Sequence, residues 1–110
     1  MLWYDFEAGN MAYKLRLNTR NTVMLEKTLG CNPLSIFGNG DTIPPVNTMV
    51  NILFASLQQY HHGLTLNDAC DIFDEWLADN HSMTDFLLVI IEIYKVSGLI
   101  KVNKEAEEKN

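Results

Sequence analysis

"LQQYHHGLTLNDACDIFDEWL" runs from Leu57 to Leu77 and holds two adjacent histidines, a cysteine, three aspartates and a glutamate. Metal sites and acid–base pairs are built from these side chains, and so are helix surfaces and turns. Spacing separates the two readings. Gly63 suits a left-handed helix stop. Thr65 suits an N-cap, with Asp68 three residues on in a variant of the capping box. Leu66, Ala69, Cys70, Phe73, Trp76 and Leu77 then recur as the apolar stripe of a helix. The stretch reads as helix end, turn and new helix, which makes the chain predominantly helical.

The candidate ligands fit that reading. His61 and His62 are neighbours at a helix C-terminus and point in different directions, whereas a zinc pair on one helix face uses a spacing of about four. An imidazole near the negative end of a helix dipole is favourable without metal. Asp68, Asp71, Glu75 and Asp79 follow steps of three, four and four, a single stripe nearly opposite Leu66, Phe73 and Leu77. A calcium loop needs oxygens wrapped around a turn, not strung along a helix. The stripe is a solvated polar face or an acidic docking strip for a basic partner.

Working outward, "LWYDFE" alternates, with Leu2, Tyr4 and Phe6 on one face. "YKLRL" alternates again, with Tyr13, Leu15 and Leu17 inward, and Gly9 and Asn10 supply turn chemistry between the two. Acids on the first strand are then expected to pair with bases on the second. Asn18 or Thr19 caps a helix that Gly30 stops, Pro33 begins a short helical turn ended by Gly38, and Pro44-Pro45 leads into a helix from about Val46 to Tyr60. Val46, Met49, Val50, Leu53, Leu57 and Tyr60 form its stripe. Ser82, with Asp85 three residues on, begins the last helix, which ends near Gly98.

The expected fold is α+β, mainly α: an N-terminal β-hairpin packed on a small helical domain of three main helices plus a short helical turn. Residues 1–100 form one domain, 1–17 the hairpin and 18–98 the helical part, and 101–110 a charged tail. At 110 residues with 47% hydrophobic content the chain can build its own core.

A formal net charge of −6 argues against nucleic acid as a partner. The longest apolar run, "FLLVIIEIY", is too short for a membrane span and carries Glu92. Two distant cysteines, Cys31 and Cys70, with no secretory signal ahead of them imply a reducing, cytosolic compartment. Cys70 falls on the apolar stripe and is expected in the core. "GNGDT", Gly38 to Thr42, lacks the ending of a phosphate loop and reads as plain loop. No catalytic, cofactor or metal residue is assigned, and the chain is not expected to be an enzyme.

The last helix is apolar on nearly every face. Phe86, Leu87, Ile90, Ile91, Ile93 and Tyr94 fill a wide arc, and Leu88, Val89 and Val96 lie outside it beside Asp85, Glu92 and Lys95. Ile52 is off its helix's stripe, and Ile72 sits where apolar arc and acidic strip meet. The hairpin covers these extra apolar residues, or they are partner-binding surface.

Three strings together resemble a family: "YKLRLNTRNTVMLEKTLGCNPLSIF", "ILFASLQQYHHGLTLNDACDIFDEWL" and "TDFLLVIIEIYKVSGL". They resemble the tail assembly chaperones of long-tailed phages and prophages of Gram-positive bacteria, over nearly the whole chain. The best-matched elements are Glu26 to Leu34, Leu57 to Gly63 and Ile91 to Ile93. The resemblance implies a non-enzymatic chaperone that binds the tape measure protein and keeps it soluble until tail tube protein polymerises around it. It implies self-association, action in the host cytoplasm and absence from the finished virion. It leaves open a longer, frameshifted form of the chain. Under it, Ile52, Ile72, Leu88, Val89 and Val96 with Asp68, Asp71, Glu75 and Asp79 are the candidate partner-binding residues. The alternatives are a structural tail or head–tail connector component, or a metal-binding module using His61 and His62.

Overall fold

Gly9 and Asn10 both have positive φ, 56° and 65°. Two such residues in succession make the primed turn whose twist matches a right-handed hairpin. They join β1 (Tyr4–Ala8) to β2 (Met11–Leu15), antiparallel, in the register Tyr4↔Leu15, Asp5↔Lys14, Phe6↔Tyr13, Glu7↔Ala12 and Ala8↔Met11. The structure, a computed structural model, describes residues 2–37 and 43–101. The fold is α+β and mainly α, as the sequence leads one to expect.

Phe6, Ala8, Leu15 and Leu17 are buried, Tyr4 and Tyr13 half-buried, and Leu2 exposed. The expected cross-strand ion pair does not form. Asp5 stands opposite Lys14, but its carboxylate accepts from the Trp3 indole N–H at 3.0 Å, and the Lys14 ammonium lies 4.3 Å from the Trp3 ring centroid. An exposed ion pair contributes little, so a cation over an indole face competes with it readily.

Four α-helices follow, one more than the expected count of three main helices, although each of the four segments reads as helix by itself: α1 (Thr19–Leu29), α2 (Val46–Leu57), α3 (Leu66–Ala78) and α4 (Phe86–Ser97). Asn18 Oδ1 accepts from the Asn21 N–H, and Gly30 ends α1 with φ 71°. A 3-10 helix, Pro33–Phe37, separates α1 from α2. Its Pro33 carbonyl accepts from the Tyr94 hydroxyl at 2.9 Å in the core. Burial, with a smaller contribution from Cys31, pushes that phenol well above its ordinary range. The Gly38 end of this helix, "GNGDT" and the tail from Val102 lie outside the described residues.

The capping box of α3 is present in both directions, Thr65 N–H to Asp68 Oδ2 at 2.7 Å and Asp68 N–H to Thr65 Oγ1 at 3.1 Å. Ser82 and Asp85 make the same reciprocal pair at 2.8 and 3.3 Å. There α4 itself starts only at Phe86, after a turn bonded at the tighter 3-10 spacing.

The core gathers around α2, which packs against α1, α3, α4 and β2. An aromatic cluster closes it on the hairpin side. Phe6 meets Trp76 and Phe86 at centroid distances of 5.8 and 6.2 Å, and Phe86 meets Phe73 at 5.0 Å.

The hairpin turn also abuts α3. A Cβ on Gly9 would overlap the Glu75 carboxylate, in a backbone region that costs an L-residue about 1–2 kcal/mol by itself. Gly9→Ala is expected to lower the unfolding free energy by about 1–2 kcal/mol in urea titrations. In a Glu75→Ala background part of that loss should disappear while the backbone part stays. Equal losses in both backgrounds would show that contact with Glu75 is irrelevant.

Candidate interaction surface

Three of the residues expected on a partner surface lie inside. Ile52 is fully buried, and Ile72 and Val89 are only 5% and 6% exposed. On α3 the buried arc is Ala69, Ile72, Phe73 and Trp76, rotated from the expected stripe, so Ile72 turns inward while Cys70 and Leu66 turn out. The core expectation for Cys70 is therefore corrected, and Cys31 is exposed as well. On α4 the hairpin and α2 together cover a wider arc than one apolar stripe, which takes in Val89 and leaves Val96 half-buried. Leu88 alone of the set projects fully, at 67% exposure, on the face that carries the 3.7 Å Glu92–Lys95 ion pair.

The four acids do not act together. Asp68 is committed to the Thr65 cap. Glu75 lies against the Gly9 turn, Asp71 is exposed, and Asp79 is the C-cap of α3, with Asp74 a further exposed carboxylate on this helix. Among the described residues no group of three His, Cys, Asp or Glu side chains is placed to hold a metal ion.

His61 has a definite task. Its Nε2 accepts the Lys14 backbone N–H of β2 at 2.9 Å, and its ring stands edge-to-face with Tyr13 at 5.4 Å. An accepting Nε2 places the proton of the neutral ring on Nδ1. Partial burial, then the Lys14 charge and His62, lower its pKa below the ordinary value. The third histidine, His81, stacks on Trp76 at 4.2 Å and shares a 2.9 Å hydrogen bond between its Nδ1 and the Trp76 carbonyl. Both contacts are structural.

A largely apolar concave surface lies elsewhere, between α1 and α2. It is a groove of about 260 Å³ with Leu25 and Ala55 at its base and Met24 and Phe54 on its walls. Met24 is 57% exposed and Phe54 half-buried. The polar amides beside it are turned back on their own backbone: Asn51 Nδ2 donates to the Asn47 carbonyl, and Gln58 Nε2 to the carbonyls of Phe54 and Leu64. The surplus apolar residues of the last helix, Leu88, Val89 and Val96, lie away from this groove. Its signal in the sequence is Met24, which is surplus to the Leu25–Leu29 line that α1 turns inward.

Charge is distributed unevenly around these features. No lysine or arginine occurs between Lys27 and Lys95. α3 carries carboxylates only, whereas α1 presents Arg20 and Lys27 on the same side as Met24.

The chain belongs to a family of unknown function, DUF6096. Its model matches residues 5–110. No curated protein and no solved structure matches the chain. Among the described residues no helix is long and apolar enough to cross a membrane.

Two outcomes are expected from this placement. Val89→Asp should unfold the domain, because an unpaired carboxylate at a buried site costs about 3 kcal/mol or more. Leu88→Asp should shift the unfolding free energy by no more than about 0.5 kcal/mol. Circular dichroism during urea titration separates them, and a folded Val89→Asp variant would place that side chain at the surface.

His61 sets an acid limb on stability. Its folded pKa lies below the unfolded value, ordinarily about 6.5. Above that value the ring is neutral in both states and its contribution is complete. As pH falls, the unfolded chain takes up its proton first, so stability declines until the folded ring titrates as well. His61→Ala should lose about 1 kcal/mol near neutral pH and show a shallower decline toward about pH 5. Urea midpoints across that range give the slope, and an unchanged slope would remove His61 from the linkage.

Proposed function

We propose that this chain is a phage tail assembly chaperone that binds the tape measure protein and keeps it soluble during tail morphogenesis. The observation that carries the reading is the α1–α2 groove, which offers an exposed methionine and a half-exposed phenylalanine over a buried apolar base. An amphipathic helix lays its apolar ridge into such a groove. Methionine adapts to irregular ridges, which suits a client with many non-identical segments. The resemblance to tail assembly chaperones names the client, and the net charge of −6 favours solubility while the groove is empty.

The client surface therefore moves from α4 to the α1–α2 side. On this reading the chain acts without catalysis in the cytoplasm of the bacterial host and is left out of the finished virion. Tail tube protein takes over the client, and self-association and a frameshifted longer form belong to the same proposal.

The test is co-expression with the tape measure protein of the same tail gene cluster. The parent chain and Leu88→Asp should keep that protein soluble and co-purify with it, and Met24→Asp should lose it while remaining folded. A tape measure protein that aggregates equally with and without the parent chain would overturn the proposal. So would finding this chain in purified virions at structural stoichiometry, which would make it a tail or connector component.

A further inference from the structure

We infer that the groove between α1 and the end of α4 is the docking site of this chain's own C-terminal segment, residues 102–110, with its glutamates turned toward Arg16. The groove, about 480 Å³, is lined by Arg16, Thr22, Val23 and Glu26 on the α1 side and by Ser97 and Leu99 at the end of α4. The chain leaves the fold at this place. Gly98, with φ 80°, stops α4, and the Leu99 N–H donates to the Tyr94 carbonyl at 2.9 Å. That stop turns the chain back across the helix end, and Leu99 and Ile100 still pack against the core. Lys101 then emerges, exposed, two residues after Leu99 has lined the groove.

The groove holds an unmet donor. The Nε of Arg16 is buried without a hydrogen-bond partner, an arrangement that a native fold normally avoids. The ion pair found among the described residues, Glu92–Lys95, involves neither Arg16 nor Glu26. No acid occupies the first turn of α1, so the positive end of that helix joins Arg16 in favouring a carboxylate. Glu26, exposed further along the same groove, favours a cation. Residues 102–110 carry both signs, Lys104 and Lys109 with Glu105, Glu107 and Glu108. Two lysines against three glutamates leave little net charge, so the −6 of the whole chain opposes docking only weakly. Val102 is an apolar partner for Val23, which is 43% exposed. Nine extended residues reach about 30 Å, and the α1 face from Thr19 to Glu26 is about 10 Å long, so the segment spans it easily. Attachment at Lys101 keeps the segment at high effective concentration, so individually weak contacts suffice. The family match runs to residue 110 and so takes in this segment. The inference stands apart from the chaperone reading, because Val23 and Met24 line separate grooves and docking at the first leaves the second open.

Nitrogen-15 NMR of the full chain, beside a chain ended at Lys101, provides the test. Removing residues 102–110 should shift the amides of Thr22, Val23 and Ser97 to Leu99 and leave those of α3 in place. In the full chain the backbone order parameters of Asn103 to Glu108 should stand above about 0.6, the upper limit for a flexible backbone. They should fall below it when Glu105→Gln, Glu107→Gln and Glu108→Gln are combined. Arg16→Met should release the segment too, while keeping the aliphatic stem and the backbone bond to Ser56. If that variant does not fold, the triple glutamine variant decides alone, because it leaves residues 1–101 untouched. Order parameters below about 0.6 throughout the segment of the full chain would overturn the inference. So would groove amides that ignore the truncation, or a segment that stays ordered in the triple variant. Order that disappears on dilution would overturn it as well, because the segment would then occupy the groove of a second copy.

Discussion

The outward edge of β2 is where the hairpin and the helices become one domain. A two-stranded sheet is marginal by itself and exposes a row of unpaired donors. Here three donors in β2 and just beyond it find acceptors at the C-terminal ends of two helices. The Lys14 N–H meets His61 just past α2, the Arg16 N–H meets the Ser56 carbonyl in the last turn of α2 at 2.9 Å, and the Leu17 N–H meets the Ser97 hydroxyl at the end of α4 at 2.8 Å. Carbonyls in the last turn of a helix lack intrahelical partners, so the strand and the helix satisfy each other. With the edge held, Phe6 is fixed against Trp76 and Phe86, which in turn meet Phe73.

What the sequence made legible is what short-range chemistry determines. The Gly9-Asn10 turn, the Asn18 cap, the Thr65–Asp68 box and the Gly30 and Gly98 stops all depend on residues within a turn of one another, and all form. The direction of a buried arc is different in kind. Ile52 looks surplus because α2 is judged as a helix with one wet face, yet α2 is packed by three helices and a strand. Ile72 and Cys70 exchange roles through a small rotation of α3 that the position of the hairpin decides. Val89 goes inward for the same reason. The edge cap by His61 joins residues forty-seven positions apart, and no spacing rule reaches that far.

The reactive-looking stretch from Leu57 to Leu77 is therefore mostly architecture. His61 is a strand cap, Asp68 a helix cap, Glu75 a neighbour of the hairpin turn and Asp79 the C-cap of α3. Those four polar groups have a local assignment, and no three of the described ligand-type side chains converge. Part of the apolar surface left uncommitted is on α1, a helix whose short inward line of Leu25 and Leu29 leaves Val23 and Met24 uncovered.

Such a groove has consequences for how a chaperone of this kind would work. A site of about 260 Å³ accepts only a few side chains. A single contact of this sort is weak and short-lived. A long amphipathic client repeats its ridge many times, so many copies of a small chaperone can cover it at once, and neighbouring copies that touch raise the occupancy of each through effective concentration. Weakness per site then becomes useful. A tube that assembles along the client displaces one copy at a time against a small barrier, whereas a single tight site would have to be broken outright. The exposure of Met24 beside a half-buried Phe54 would suit a protein that must hold its client broadly and release it in order.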